Sequence, residues 1–290
     1  MRIGPLVNLA PLVESFGKEP GPEFAACGFS IEEFKDPDHR VSYLAADRLL
    51  DRCVAITGCN HLGLLLGQRA DPSLLGVAGF LLRTASTAGE ALQALVDNLD
   101  LHGEGESGML EIDSDFTKLT HTVHVPGLKA IDQVYDLSAV IMYKIMKSLC
   151  GPEWKAATVE LKRSVPDDSS FYRNFFRTTV HFNSTECAIT FSSQVLHEVP
   201  PAADQLLFQH LQEESRYLHR LHQSDMLDLM PAAMTHGLLT ERYSASDIAD
   251  QFGIHERTLH RRLQAAGTTF RQELDKARQS IGEQLLGSTS

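Results

Sequence analysis

The sequence predicts an α+β domain over residues 1–224 followed by an all-α region over residues 225–290. Two observations carry that division. In the first stretch, amphipathic helical segments are interleaved with short runs of period-two alternation. In the second, every periodic segment is helical, punctuated by capping signals and glycine. A length of 290 residues agrees with about two domains, each large enough to bury its own core.

The elements follow in order. Leu44, Ala45, Leu49 and Cys53 share a face over residues 41–55, and the break Gly58-Cys59-Asn60 ends that helix. The capping box from Thr87 to Glu90 starts a second helix that buries Leu92, Leu95, Val96 and Leu99. A third, residues 130–149, keeps Val134, Leu137, Ile141, Ile145 and Leu149 on one side until Gly151-Pro152 stops it. Residues 109–113 and 120–125 flank a turn-like Asp-Phe-Thr-Lys and predict a hairpin; residues 158–161 and 188–191 predict further strands. A short helix over residues 167–176 is expected to turn Phe171, Phe175 and Phe176 inward, and a long one covers residues 203–222. On the long helix Leu207, Leu211, Leu218 and Leu221 follow a 4-3 spacing interrupted by Glu214. That seam either pairs two subunits or lies on its own domain, and spacing leaves both open.

Composition narrows the class. A chain 43% hydrophobic and 22% charged is ordinary folded protein. The five cysteines, Cys27, Cys53, Cys59, Cys150 and Cys187, are widely spaced with no C-x-x-C pair, so neither a disulfide framework nor a structural zinc site is expected, and a reducing cytoplasm is the natural compartment. No membrane partner is expected, because the apolar runs 74–82 and 137–142 are far shorter than a span of about 20 residues. The formal charge of −12 speaks against a surface that grips nucleic acid throughout. A local basic segment is hidden in that total.

That segment is residues 244–263, SASDIADQFGIHERTLHRRL. Ser244 to Asp247 form a capping box, Ile248 and Ala249 face inward, and Gly253 suits a sharp turn. Ile254 plugs the turn, and Leu259 and Leu263 are buried one helical turn apart. Helix, glycine turn, helix is the arrangement of the helix-turn-helix reader of double-stranded DNA. Arg257, His260, Arg261 and Gln264 must then point outward, toward DNA. Residues 257–278 carry a net charge of +4, whereas residues 1–224 carry −10. The cations sit where backbone neutralisation and base readout need them.

With Gly267-Thr268-Thr269-Phe270 and Ala277-Arg278 added to this string, the sequence resembles the AraC/XylS family of transcriptional regulators. The resemblance continues upstream in Gly63 to Gly67, Leu75-Gly76, residues 86–95, and Trp154 through Pro166 to Phe176. It is to the subgroup whose N-terminal domain is named after arabinose binding. The resemblance implies an effector-sensing and dimerising domain over residues 1–224 and, over 225–290, the first helix-turn-helix and connecting helix of a DNA-binding domain. It implies a ligand-responsive regulator with DNA, an unidentified small-molecule effector, a second copy of the chain and RNA polymerase as partners. Two departures stand out. His255 replaces the small Ser that usually caps the recognition helix, so the cap is expected to be weaker or differently made. The chain ends at Ser290, where the family's second helix-turn-helix would begin, so the competing expectation is an effector-binding or dimerising protein with impaired DNA binding.

Remaining motifs carry little chemistry. Residues 103–108 match G-x-G-x-x-G but follow a helix and precede a strand, the reverse of the dinucleotide-binding context, and are expected to form a surface loop. His121 and His124 are three apart on a strand, which puts their rings on opposite faces and makes no metal pair. No nucleophile elbow, Walker loop or H-E-x-x-H occurs, and no cofactor, metal or catalytic residue is expected. No residue cluster identifies the effector pocket.

Overall fold

The computed structural model describes residues 1–240, 242–252 and 254–287, with 220–225 and 282–287 described by backbone alone. Short helices α1 (Leu9–Glu14) and α2 (Gly21–Ala26) precede α3 (Tyr43–Thr57), α4 (Leu62–Arg69), α5 (Val77–Thr84) and α6 (Ala88–His102). Strands β1 (Glu106–Ile112) and β2 (Phe116–Val123) come next, then α7 (Ile131–Cys150), β3 (Thr158–Glu160), α8 (Ser170–Phe176), β4 (Thr179–His181) and β5 (Cys187–Ser192). The strands form one sheet in the order β1-β2-β5-β3-β4, with β3 and β4 parallel and the other pairs antiparallel. This is the expected α+β domain. Four helices follow: α9 (Gln205–Leu239), α10 (Ala245–Gln251), α11 (Glu256–Ala265) and α12 (Phe270–Gly287).

Helix α7 is the centre of the first domain. Its apolar face packs on β2 and β5, and its other side meets α4. The α4–α7 crossing is close because α4 presents glycine there: a Cβ on Gly63 would lie 2.0 Å from the Gln133 carbonyl oxygen, and one on Gly67 would lie 2.6 Å from Val140 Cβ. The Gln133 side chain spans the joint, accepting from Gly63 N at 2.9 Å and donating to the Asn60 carbonyl at 2.9 Å. Lys144 donates to the carbonyls of Gln68 and Ala70 at the C-terminus of α4, where a cation suits the helix dipole. Beneath α8, Asp136 and Arg163 form a buried ion pair, and Tyr172 donates to the same carboxylate oxygen at 2.6 Å.

Several local expectations need correction. The hairpin turns at residues 113–115, closed by Asp113 N donating to the Phe116 carbonyl at 3.0 Å, so the Phe116 to Lys118 stretch belongs to β2 instead of to the turn. The glycine-rich segment is not wholly a surface loop: Glu106 to Gly108 open β1, and Glu106 is buried because His121 and the chain's N-terminal ammonium give its charge company. On α8 it is Tyr172 that turns inward with Phe176; Phe171 is exposed and stacks on His61 at 4.0 Å. The long helix does not stop near residue 222. It runs on to Leu239 through Pro231, because Met226, Met230 and Met234 extend a buried stripe at four-residue spacing. Leu207 is largely exposed on this helix, while Leu211 packs against the first core.

Among the described residues no single helix is long and apolar enough to cross a membrane. The Asp136–Arg163 pair yields the first prediction. Replacing Arg163 with Met strands a carboxylate that is 0% exposed and should cost about 3–5 kcal/mol in urea unfolding. Adding Asp136→Asn should recover part of that loss.

Candidate nucleic-acid interface and adjoining cavity

The helical region has its own core. Met226, Met230 and Met234 of α9 meet Ile248 and Ala249 of α10, Ile254 of the turn, Leu259 and Leu263 of α11, and Leu274 and Ala277 of α12. Ser244 caps α10 with a reciprocal box, its Oγ accepting from Asp247 N at 3.1 Å while Asp247 accepts from Ser244 N at 3.1 Å. Gly253 lies outside the described residues. His255 does cap α11: its imidazole Nδ1 accepts from Arg257 N at 3.1 Å, the work a Ser hydroxyl does in the usual motif. The three methionines recur at four-residue spacing, the sequence signal of one buried helical stripe.

Arg257, His260, Arg261 and Gln264 are all exposed on one side of α11. His260 lies 3.5 Å from Glu256 and edge-on to Phe270. Arg261 is exposed but engaged, donating to the Asp97 carbonyl and to Asp100 Oδ2, both at 3.3 Å. Arg262, one residue on, is 4% exposed and donates to the same Asp100 oxygen at 3.0 Å. One of the helix's three arginines is therefore a tether to α6 and does not face solvent. Position explains it: Arg262 neighbours Leu263 on the inward flank, so it can be buried only against a carboxylate.

Asp100 is the meeting point of three helices. His219 of α9 approaches it to 3.6 Å, and the adjacent Asn98 side chain accepts from Ser215 of α9 and lies 3.1 Å from His219 Nε2. Nearby, His124 at the end of the β1–β2 hairpin sits 4.5 Å from His255, ring centre to ring centre, and bonds Ser107 at 2.8 Å. A cleft results, with Asp97, Asp100, Glu106 and Glu186 on one side and Arg257, Thr258 and Arg261 on the other. The acidic first domain thus faces the basic helix α11.

Directly behind α6 lies a second space, a mainly apolar cavity between α6, α7 and the β1–β2 hairpin. Val96 and Leu99 of α6 form part of its wall, so this helix lines the cavity with residues interleaved between those that hold Arg261 and Arg262. Val96, Glu106, Gly108 and Thr120 border both spaces. The cavity's polar end is built from His102, Glu106 and His121. His121 Nε2 lies 3.2 Å from Glu106 Oε2. Burial acts to raise the Glu106 pKa, but the His121 bond and the neighbouring positive charges outweigh it and hold the group below its ordinary range. Burial drives the His102 imidazole down to about 4. It is neutral at pH 7.

Residues 17–199 match the family model described as the arabinose-binding domain of AraC transcription regulator, N-terminal. The chain is 25% identical over 241 residues to the HTH-type transcriptional regulator VirS of Mycobacterium tuberculosis, covering 80% of this chain and 69% of that protein. It is 24% identical over 285 residues to the ornithine utilization regulator of Pseudomonas aeruginosa, covering 97% of this chain and 83% of that one. Its fold is like that of the transcriptional regulator CdpR from Pseudomonas aeruginosa, with a TM-score of 0.52, 23% identity, and coverage of 92% and 84%.

The buried histidine fixes a pH dependence. An unfolded chain protonates His102 near pH 6.5, whereas the folded one resists to about pH 4, so stability falls as pH drops through that window and levels off below it. The share from His102 is on the order of 3 kcal/mol. Urea midpoints at pH 7 and pH 4.5 should differ less in His102→Gln than in the natural sequence.

Proposed function

Since the chain belongs to the family of AraC transcription regulators defined by the arabinose-binding N-terminal domain, we propose that it is a ligand-responsive, sequence-specific DNA-binding regulator and not an enzyme. Residues 1–224 act as sensor and residues 225–290 read DNA. Two separate cores support this division, the first closing at Phe208 and the second opening at Met226. The observation that carries the DNA-binding reading is the single exposed face of α11 bearing Arg257, His260, Arg261 and Gln264 over a buried helix-turn-helix core. Those side chains suit phosphate neutralisation and guanine or adenine readout in the major groove.

The contacts of Arg261 add regulation. A guanidinium held by Asp100 and the Asp97 carbonyl is not available to a phosphate or a base. Reading DNA with this helix requires α11 to leave α6, and a ligand that moves α6 biases that step. Two copies reading two half-sites would multiply a modest single contact surface. The exposed Leu206 and Leu207 of α9, at 77% and 45%, support pairing along that helix.

Fluorescence anisotropy on fragments upstream of the gene tests this reading. Binding should weaken steeply with salt. Arg257→Ala should cost about 1–3 kcal/mol on the preferred fragment, and Asp100→Asn should tighten binding by loosening the clamp. Equal affinity for all fragments, unmoved by Arg257→Ala, would contradict it.

A further inference from the structure

The charges that line the cleft between the β1–β2 hairpin and α11 do not all find partners. Glu186 is engaged by Lys118, Glu106 by His121, and Asp100 by Arg261 and Arg262. Two charges are left over. Arg257, exposed in the first turn of α11, makes no ion pair and no side-chain hydrogen bond among the described residues. Asp97, exposed on α6, has its Oδ1 held by Gln93 Nε2 at 3.0 Å and meets no cation with its side chain among the described residues. These opposite charges share one space without forming a pair. Arg261, one turn after Arg257 on the same face of α11, is fixed to the Asp97 carbonyl and to Asp100, and those bonds set the separation of the two helices. The hairpin adds hydroxyls to the lining, since Ser107 and Thr122 are cross-strand partners and share a face.

We infer that this cleft binds a small zwitterion, a molecule with one carboxylate and one ammonium, the carboxylate on Arg257 and the ammonium on Asp97. The space measures about 380 Å³ by the positions open to a water's centre. One water takes about 10–15 Å³ on that scale, so such a molecule fits with water around it. The two charges select against the neighbouring classes. A plain carboxylate gains Arg257 but is repelled by Asp97, and a plain amine gains Asp97 but is repelled by Arg257. A neutral polyol forms neither charge pair, and hydrogen bonds between ions are about twice as strong as neutral ones. A ligand so placed touches α6 at one end and α11 at the other. It therefore binds the clamped arrangement and favours it, and it occupies an arginine assigned to DNA.

That the zwitterion opposes DNA binding rests on the DNA-reading role proposed above; that it binds here does not. The test titrates the full chain at low salt with glycine, 4-aminobutyrate and 6-aminohexanoate, three zwitterions of increasing span, and with butyrate and butylamine as the single-charge controls. Calorimetry should show one saturable site for at least one zwitterion, which should bind about tenfold or more tightly than either control. Asp97→Asn leaves the carbonyl that holds Arg261 and should abolish the preference over butyrate. Arg257→Gln should abolish the preference over butylamine. Both side chains are exposed, and if one variant fails to fold the other decides. No zwitterion binding, butyrate or butylamine binding equally well, or a preference that survives the substitutions would each overturn the assignment. Promoter affinity measured alongside separates the two readings. If a zwitterion binds as described and DNA affinity does not fall, the cleft assignment stands and its opposition to DNA reading fails; if no zwitterion binds while Arg257→Ala weakens promoter binding, the reverse holds.

Discussion

The arrangement of the whole molecule depends on one buried carboxylate. Asp100, 4% exposed at the end of α6, receives Arg261 and Arg262 from α11 and faces His219 of α9. An unpaired carboxylate there would be prohibitively costly, and so would Arg262 without it. Arg262 of the second division is therefore buried on a charge that the first supplies. Separation must expose Asp100 and Arg262 to water, or give them new partners, and that makes the contact a two-state joint instead of a permanent weld. A phosphate backbone is such a partner for the arginines.

Helix α6 connects this joint to the cavity. Val96 and Leu99 belong to the cavity wall, while Asp97 and Asp100, one residue further on in each case, hold the arginines. In a helix packed at crystal-like density, a shift on one flank is carried to the other without loss, because rigid elements move as units. A ligand that filled the cavity would push on α6 from this flank. The energy a ligand can spend on that movement is its difference in affinity for the clamped and released states.

Much of this was legible in the sequence. The capping box at Ser244, the α7 stripe and the buried set Ile248, Ala249, Ile254, Leu259 and Leu263 are local signals, fixed by helix periodicity and end chemistry, and the structure reproduces them; at Thr87 the cap forms, but Glu90 accepts from Ser86 N, so the box is not reciprocal. What escaped were features set by distant partners. Arg262 reads in the sequence as one more cation of the basic segment, and it is Asp100, far away in sequence, that gives it a reason to be buried. Glu106 looked like part of a polar loop, yet His121 across the hairpin draws it inside. The unusual His255 was legible as a departure, but only geometry revealed that an imidazole nitrogen can cap the helix and that its ring also meets His124. The cavity left no trace at all, since its lining is drawn from three helices and a hairpin whose individual residues read as core.

The central claim is that α11 is held against α6 and must leave it to read DNA. Spin labels at Glu111→Cys on β1 and Ala266→Cys at the end of α11, with Cys27 and Cys150 replaced by Ser, allow that distance to be followed by pulsed electron paramagnetic resonance. Free protein should give one narrow distribution, and saturating promoter DNA should move it outward by about a helix diameter, roughly 10 Å. An unchanged distribution in the presence of bound DNA would contradict the account.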